Sequence, residues 1–247
     1  MKFSASTLAA LCATLATAGL AQAADVNSID TLSQQQFRLL SEDLGSALSY
    51  KGLVPAEGLG ITGFDIGVAA SNTRVKNGAA FNLATNGSSA PKNLPMVSVR
   101  AHKGLPFDID LGVAISSLPT TNIRSTGGEL RWAFVPGSTV MPALAVRLSG
   151  TFLSGVENLK LRTTGVDLSI SKGFAMFTPY AGVGQVKVKS TGTISNGVGG
   201  TFSDTQKFNQ SKVFAGLNVN FGQVNLALEG DKTGEDTSYG LKFGLRF

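Results

Sequence analysis

The chain has 247 residues, a formal net charge of +5 and 43% hydrophobic residues, but only 15% of its residues are charged. Globular domains carry roughly 25% charged residues, so this chain has too few charges to cover an ordinary water-facing surface. The body of the sequence contains no continuous apolar run long enough for a membrane-spanning helix. These properties disfavour an ordinary soluble domain and a membrane protein built of helices.

Residues 1–23 have the features of a secretory signal peptide. Lys2 gives the positive charge, residues 8–20 are weakly apolar, and Ala21-Gln22-Ala23 matches a cleavage site. A membrane anchor is disfavoured because the stretch is rich in Ala, Thr and Ser and ends at the cleavage pattern. Cleavage would remove Cys12, the single cysteine, so we expect neither disulfides nor thiolate metal sites in the exported chain.

Residues 24–60 are predicted to form one short amphipathic helix and a linker. Ser33 and Gln36 have the spacing of a capping box, and Gly52 is a plausible stop signal. Apolar residues recur at helical spacing after the cap: Phe37, Leu40, Leu44 and Leu48. Their apolar face has to be buried against another part of the molecule.

Residues 61–247 are predicted to be all β, since alternation with a period of two replaces the helical period. Ten strands are predicted, with eight or twelve as alternatives: 61–75, 93–103, 108–118, 122–135, 141–153, 158–172, 178–190, 206–221, 223–231 and 238–247. Short turns marked by Pro or Gly alternate with longer loops, above all 76–92 and 191–205. This asymmetry is typical of a transmembrane up-and-down β-barrel with short periplasmic turns.

The polar face of the predicted strands is rich in small residues. These residues are Gly67, Ala69, Gly112, Ala114, Ala143, Ala145, Ala181, Gly216, Ala227, Gly240 and Gly244. A soluble sandwich or lipocalin-like barrel would turn the apolar face inward, but a water-facing surface has no need of small residues. A narrow barrel interior does need them, so the small and charged face is predicted to line the lumen.

Aromatic residues gather near the end with the short turns, as in an interfacial girdle. The predicted girdle contains Phe64, Phe107, Trp132, Phe134, Phe174, Phe177, Tyr180, Phe221 and Phe247. In the sixth strand, Leu159 and Leu161 have the opposite parity to Val166, which predicts a β-bulge at residues 163–165.

The last strand alternates apolar residues with small or cationic ones and stops on Phe247. The apolar positions are Tyr239, Leu241, Phe243, Leu245 and Phe247. This ending resembles the C-terminal assembly signal of Gram-negative outer-membrane β-barrel proteins. The resemblance covers residues 61–247 as an architecture and points to no named functional family. It implies an outer-membrane location, recognition by the barrel-assembly machinery, and contact with outer-membrane lipids and lipopolysaccharide.

Charged residues on the small face form a predicted lumen network: Arg100, His102, Asp108, Asp110, Glu129, Arg131, Arg147, Lys187, Lys189, Lys212, Lys242 and Arg246. A hairpin centred on Leu105 would pair Arg100 with Asp110 and His102 with Asp108. A hairpin centred on Ser138 would pair Glu129 with Arg147 and leave Arg131 beside Ala145. The network is either a selectivity or gating cluster, or a salt-bridged filling of a narrow interior.

No pattern in the sequence favours an enzyme, a metal site, a cofactor or a nucleic-acid partner. His102 is the sole histidine and is predicted at the short-turn end, away from an outer rim where a barrel hydrolase would need it. We therefore expect no catalytic residues and no cofactor.

The favoured function is a narrow or plugged pore for small solutes, with an anion preference if the predicted excess of luminal cations is real. One alternative is a non-conducting barrel that acts through its outer loops, and a weaker one is transport of hydrophobic ligands by lateral opening. The helix has three candidate positions, which are a plug, an interfacial helix and a docking element. A cap over the periplasmic mouth is the favoured position. The oligomeric state stays open.

Overall fold

The computed structural model, which describes residues 25–86, 92–119 and 121–247, is a closed barrel of ten antiparallel strands. The predicted signal peptide, with Cys12, lies outside the described residues. Each strand pairs with its neighbours in sequence, and β1 pairs with β10 to close the barrel. The strands are β1 (Phe64–Arg74), β2 (Asn93–Leu105), β3 (Ile109–Ser117), β4 (Arg124–Val135), β5 (Ala143–Ser154), β6 (Leu159–Ser171), β7 (Phe177–Ser195), β8 (Thr201–Phe221), β9 (Val224–Thr233) and β10 (Asp236–Arg246). The predicted architecture is confirmed.

The two ends of the barrel are named here by their connections. The turn end carries residues 106–108, 136–142, 172–176 and 222–223 together with Phe247, and the loop end carries residues 75–92, 118–123, 155–158, 196–200 and 234–235. The predicted long loop at 191–205 is wrong, because β7 and β8 extend through most of it. β-Branched residues such as Thr193 and Ile194 keep the backbone extended there.

Helix α1 (Gln34–Leu48) lies inside the barrel in the half near the loop end. The predicted capping box is confirmed, since Ser33 Oγ accepts from the Gln36 amide and Gln36 Oε1 accepts from the Ser33 amide. The favoured position over the short-turn mouth is wrong, and the plug is the arrangement observed. The apolar face of α1 packs against inward-facing wall residues, among them Leu94, Leu159, Leu161, Val186, Val188 and Ile194.

No helix in the described part of the chain is long and apolar enough to cross a membrane.

Strand β6 contains no bulge, which corrects the prediction for residues 163–165. β6 pairs with β5 and β7 without a register shift, and Leu159, Leu161 and Asp167 all face inward. The change of residue type along this face follows the lumen contents, because the leucines contact the apolar face of α1. The register shift lies instead in β4, between Trp132 and Val135.

The outer wall carries an apolar belt between its two ends. Residues of this belt are exposed, among them Ile66, Val68, Val99, Leu111, Val113, Leu130, Leu148, Val166, Leu168, Val183, Val213, Leu217 and Leu228. Aromatic residues border the belt at the turn end: Phe64, Phe107, Trp132, Phe134, Phe174, Phe177, Phe221 and Phe247 are all exposed. The small residues of the other face lie inside, as predicted, apart from the exception in β7.

The predicted faces of β7 are inverted. Tyr180 is buried in the lumen and donates to Glu229, whereas Ala181 is exposed on the outer wall. Val186 and Val188 point inward because they pack on α1. Lys187 and Lys189 alternate with these valines and therefore lie on the outer wall, not in the lumen. In the part of β7 that contacts α1, the apolar residues therefore face inward, unlike those in most of the barrel, and the general pattern failed.

Replacing Leu161 by Ala tests this inward assignment. Leu161 is 3% exposed, so its truncation should lower the free energy of unfolding by about 2–5 kcal/mol. Leu168→Ala, on the outer face of the same strand, is the matched control and should have a much smaller effect. Urea unfolding of the two refolded variants measures the difference. Equal losses would contradict the assignment.

Candidate functional site

Residues 26–58, the plug segment, pass through the barrel from the loop end to the turn end. At the loop end, the amides of Asn27 and Ser28 donate to Ala84 O at 3.2 and 3.0 Å. Ala84 ends the short helix α2 (Gly78–Ala84) in the first loop. At the turn end, the amide of Leu59 donates to the Asp110 carboxylate at 3.1 Å. The chain then leaves the lumen and enters β1.

The last ten residues of the plug segment, 49–58, have no regular secondary structure, although most of them are buried. Buried backbone groups outside a helix or sheet need other hydrogen-bond partners. Side chains of the wall provide them for the first residues: Lys212 Nζ donates to Tyr50 O at 2.8 Å, Arg100 donates to Lys51 O, and Glu229 Oε2 accepts from Leu53 N at 3.1 Å.

Two further residues of this segment follow the same pattern. Arg131 donates to Pro55 O, and Ser171 Oγ accepts from the Ala56 amide at 3.1 Å. The plug adds a buried cation of its own, Lys51, whose Nζ lies 3.0 Å from Asp231 on β9. In the half of the lumen near the turn end, charged wall side chains are therefore the hydrogen-bond partners of the plug backbone.

The wall charges also pair with one another. Asp167 binds Arg147 at 2.7 Å and Lys212 at 3.3 Å. Asp65 binds both Lys242 and Arg246 at 2.8 Å across the β1–β10 seam. These carboxylates and cations are buried apart from Arg246, which is half-buried, and burial is tolerated because each charge has a partner of opposite sign.

Glu129 joins two parts of this network. It lies 3.2 Å from His102 Nε2 and 3.5 Å from Arg147, and Arg131 pairs with Asp110. His102 is 2% exposed. The histidine is thus enclosed by the wall and has no contact with solvent at either mouth.

Most of the predicted charges lie on the inward face of the strands. These are Arg100, His102, Asp110, Glu129, Arg131, Arg147, Lys212, Lys242 and Arg246. Lys187 and Lys189 are on the outer wall. Asp108 lies in the turn between β2 and β3, because Pro106–Asp108 forms a 3-10 turn outside the strand ladder.

The predicted cross-strand partners are wrong. Arg100 faces Ala114 and His102 faces Gly112, since the 3-10 turn displaces the predicted hairpin centre. In the next hairpin, the register shift in β4 places Arg131, not Glu129, opposite Arg147. The predicted ion pair of Glu129 with Arg147 forms nevertheless, because the two side chains meet diagonally.

Sequence reasoning missed several members of the site. These are Lys51, Asp65, Asp167, Tyr180, Glu229 and Asp231. A usable signal existed for the carboxylates, because Asp65 has the parity of Gly67 and Ala69, and Glu229 has the parity of Ala227. Lys51 had no such signal, since the path of the linker is not encoded in any local period.

Small residues let the plug and the wall interlock. A Cβ atom at Gly52 would lie 1.5 Å from the Arg147 guanidinium, and a Cβ atom at Gly240 would lie 2.9 Å from Leu53 Cδ2. A cavity of about 40 Å³ remains beside Tyr50 and Arg100. This volume suits only a few water molecules.

The plug is also fastened at the loop end. Asp43 of α1 is buried and accepts hydrogen bonds at 2.9 Å from both the amide and the side-chain nitrogen of Asn77. Burial, with the nearby Asp236 carboxylate as a second cause, raises the pKa of Asp43 from 3.8 to about 7. Asp236 in turn accepts from the Lys76 amide at 3.1 Å, so two carboxylates hold the first loop.

Comparisons with known proteins return similar solved structures only, since no protein-family model and no curated protein matches the chain. The N-terminal β-barrel domain of Pseudomonas aeruginosa OprF is 14% identical over 76% of this chain and 99% of that chain, with a TM-score of 0.35. The outer membrane protease OmpT from Escherichia coli is 11% identical over 75% of this chain and 95% of that chain, with a TM-score of 0.42.

Ail, the attachment invasion locus protein of Yersinia pestis, solved with the heparin analogue sucrose octasulfate, is 13% identical over 75% of this chain and 97% of that chain, with a TM-score of 0.30. These similar structures are outer-membrane β-barrels. At such low TM-scores the similarities assign neither a site nor a function to this chain.

Replacing Asp65 by Asn should destabilise the barrel strongly. Lys242 and Arg246 would lose the carboxylate that they share, and breaking a buried ion pair costs about 3–5 kcal/mol. Asp108→Asn in the turn is the control and should be close to neutral. Urea unfolding measures both variants, and a neutral Asp65→Asn variant would contradict the ion-pair assignment.

Asp43 should make stability depend on pH. Because its pKa is raised in the folded state, folding favours the protonated form, and the stability that it contributes is present below about pH 4 and lost as pH rises through about 7. Asp43→Asn should flatten this part of the pH profile of the free energy of unfolding. Asp30→Asn, at an exposed carboxylate, is the control. Identical profiles for wild type and Asp43→Asn would refute the prediction.

Proposed function

We propose that this protein is an outer-membrane β-barrel and a pore for small solutes that its own plug segment keeps closed. The observation that carries the proposal is the chain of hydrogen bonds between the wall and the backbone of residues 50–59. Residues 50–59 fill the half of the lumen near the turn end, and α1 fills the half near the loop end. A solute can pass only after this segment moves.

The outer wall supports the membrane location. Monomeric soluble proteins rarely expose large contiguous apolar surfaces, yet the apolar belt surrounds this barrel and the buried ion pairs of its wall face the lumen. Closed barrels satisfy all strand hydrogen bonds internally, as spanning a bilayer requires. The exposed aromatic residues at the turn end suit a membrane–water interface, so we assign the turn end to the periplasm and the loop end to the cell exterior.

The wall supports passage of small solutes without a strong preference for either charge. Cations and carboxylates alternate around the lumen, with Asp65, Asp167 and Glu129 each facing basic partners. The predicted anion preference depended in part on Lys187 and Lys189, which lie outside the lumen. We therefore expect weak ion selectivity once the plug segment is displaced.

We also propose that the protein is not an enzyme. The sole histidine is buried against Glu129, and a catalytic base needs access to its substrate. Lateral opening for hydrophobic ligands has no support either, because the β1–β10 seam is paired from Asp65↔Arg246 to Arg74↔Thr237.

A second candidate function is binding of a partner at the cell surface. The hairpin of β7 and β8 extends past the neighbouring strands at the loop end, and Val198 at its tip is 87% exposed. Exposed apolar loop tips suit contact with a partner. This function is compatible with a permanently closed lumen.

Conductance of a plug-locked variant distinguishes the two functions. A Cβ atom at Gly45 of α1 would lie 2.7 and 3.1 Å from the two γ-carbons of Val188. A disulfide separates Cβ from the opposite sulfur by about 3 Å. Gly45→Cys/Val188→Cys should therefore form a disulfide that fixes α1 to β7. The protein expressed from residue 24 contains no other cysteine.

Single-channel recording in a planar bilayer should show long closed periods for residues 24–247 and discrete conductance for a variant that lacks residues 24–58. Mild urea should open the wild type and the reduced double-cysteine variant, but not the oxidised one. Val188→Cys alone is the control. Silence of the truncated protein, with heat-modifiable mobility showing that it is folded, would exclude a plugged pore and favour surface binding.

A further inference from the structure

A row of cations crosses the outer wall of β6, β7 and β8 near the loop end. Arg162 is directly opposite Lys189 in the β6–β7 ladder, and Lys189 is directly opposite Lys207 in the β7–β8 ladder. We call these three residues the cationic row. Directly opposite side chains on one face of an antiparallel pair have Cβ atoms about 5 Å apart, so the three positive charges are neighbours.

Further cations and a groove extend the row. On β7, Lys187 is the next outward residue after Lys189 in the direction of the turn end. On β6, Lys160 is the next outward residue after Arg162 in the direction of the loop end. A groove of about 340 Å³ runs over this surface. The outward side chains along it are Phe152, Lys160, Arg162, Lys189 and Thr191.

The row has no ion-pair partner among the residues that the structure describes. None of its members forms an ion pair with a carboxylate in the described part of the chain, and Glu157, in the loop before β6, pairs with none of them. Like charges directly opposite each other destabilise a sheet. An external anion bound across the row would remove this repulsion and accept several charge-assisted hydrogen bonds.

The position of the row indicates which anion fits. Nearer the turn end on the same strands, beyond the outward polar residues Thr164, Gln185, Lys187, Asn209 and Ser211, the outward residues are apolar: Val166 and Leu168 on β6, Val183 on β7 and Val213 on β8. Phe152, opposite Arg162, is 61% exposed beside the groove. A molecule that uses the cations and the belt together has an anionic head and apolar chains.

We infer that the cationic row and its groove bind the phosphate headgroup of an anionic lipid in the leaflet at the loop end. The acyl chains lie against the belt below, and the guanidinium of Arg162 and the ammonium groups of Lys189 and Lys207 hold the phosphate. This inference rests on the membrane location in the proposed function. It does not depend on whether the plug segment ever leaves the lumen.

Two variants with equal charge change test the inference. Arg162→Gln/Lys189→Gln/Lys207→Gln removes the row, and Arg74→Gln/Arg124→Gln/Lys232→Gln removes exposed cations elsewhere at the loop end. Native mass spectrometry of residues 24–247 in a neutral detergent measures binding of a bis-phosphorylated glucosamine lipid. Heat-modifiable mobility shows that each variant is folded, as expected for outer-wall substitutions.

Wild type and the control variant should retain the lipid, and the row variant should lose at least about tenfold in affinity, as expected when three charge-assisted contacts are removed. Equal affinity of the row variant and wild type, or an equal loss in the control variant, would overturn the inference. Equal binding of phosphatidylcholine would exclude recognition of an anionic headgroup.

Soluble inositol hexakisphosphate is the probe for the other source of phosphate. If it binds the row as tightly as the lipid does, the acyl chains contribute nothing and the site is for a soluble polyanion, which also overturns the inference. Failure of the wild type to insert into neutral vesicles would instead refute the membrane location itself. A silent channel with row-dependent lipid binding would leave this inference standing and refute only the pore.

Discussion

Hydrogen bonds from wall side chains to the backbone of residues 50–59 are the interaction on which the rest of the lumen depends. A chain segment without helix or sheet cannot be buried unless its amides and carbonyls find partners. Lys212, Arg100 and Arg131 donate to its carbonyls, while carboxylates such as Glu229 and Asp110 accept from its amides. The buried charges of the wall are then paired among themselves, which keeps the cost of their burial low.

The plug segment divides the lumen into two chemical environments. Helix α1 satisfies its own backbone, so the wall around it can be apolar, as Leu159, Leu161 and Val188 are. The extended part cannot do so, and the wall around it is charged. The inward residues of β6 show this change, because Leu161 faces α1 and Asp167 lies further along the strand, beside the extended part of the plug segment. On the outer wall of β6, β7 and β8 the order is reversed, since the residues are apolar in the belt and cationic near the loop end.

The sequence predicts well what depends on local periods and poorly what depends on distant contacts. Strand number, the two faces and the capping box at Ser33 follow from alternation and spacing. Cross-strand partners do not follow from them, because a three-residue turn at Pro106–Asp108 and a register shift in β4 change which residues lie opposite each other. The two faces of β7 were predicted the wrong way round, because contact with α1 places apolar residues on its inward face. The path of the plug has no local signal at all.

Hydrogen–deuterium exchange of the refolded protein tests the central claim most directly. If residues 50–59 are hydrogen-bonded to the wall inside the barrel, the amides of Leu53, Ala56 and Leu59, which donate to wall side chains, should exchange as slowly as those in the middle of β6. The exposed turn at residues 136–142 serves as the fast internal standard. Exchange of these three amides at the rate of this turn, while β6 stays protected, would show that the barrel folds without its plug and would contradict the account.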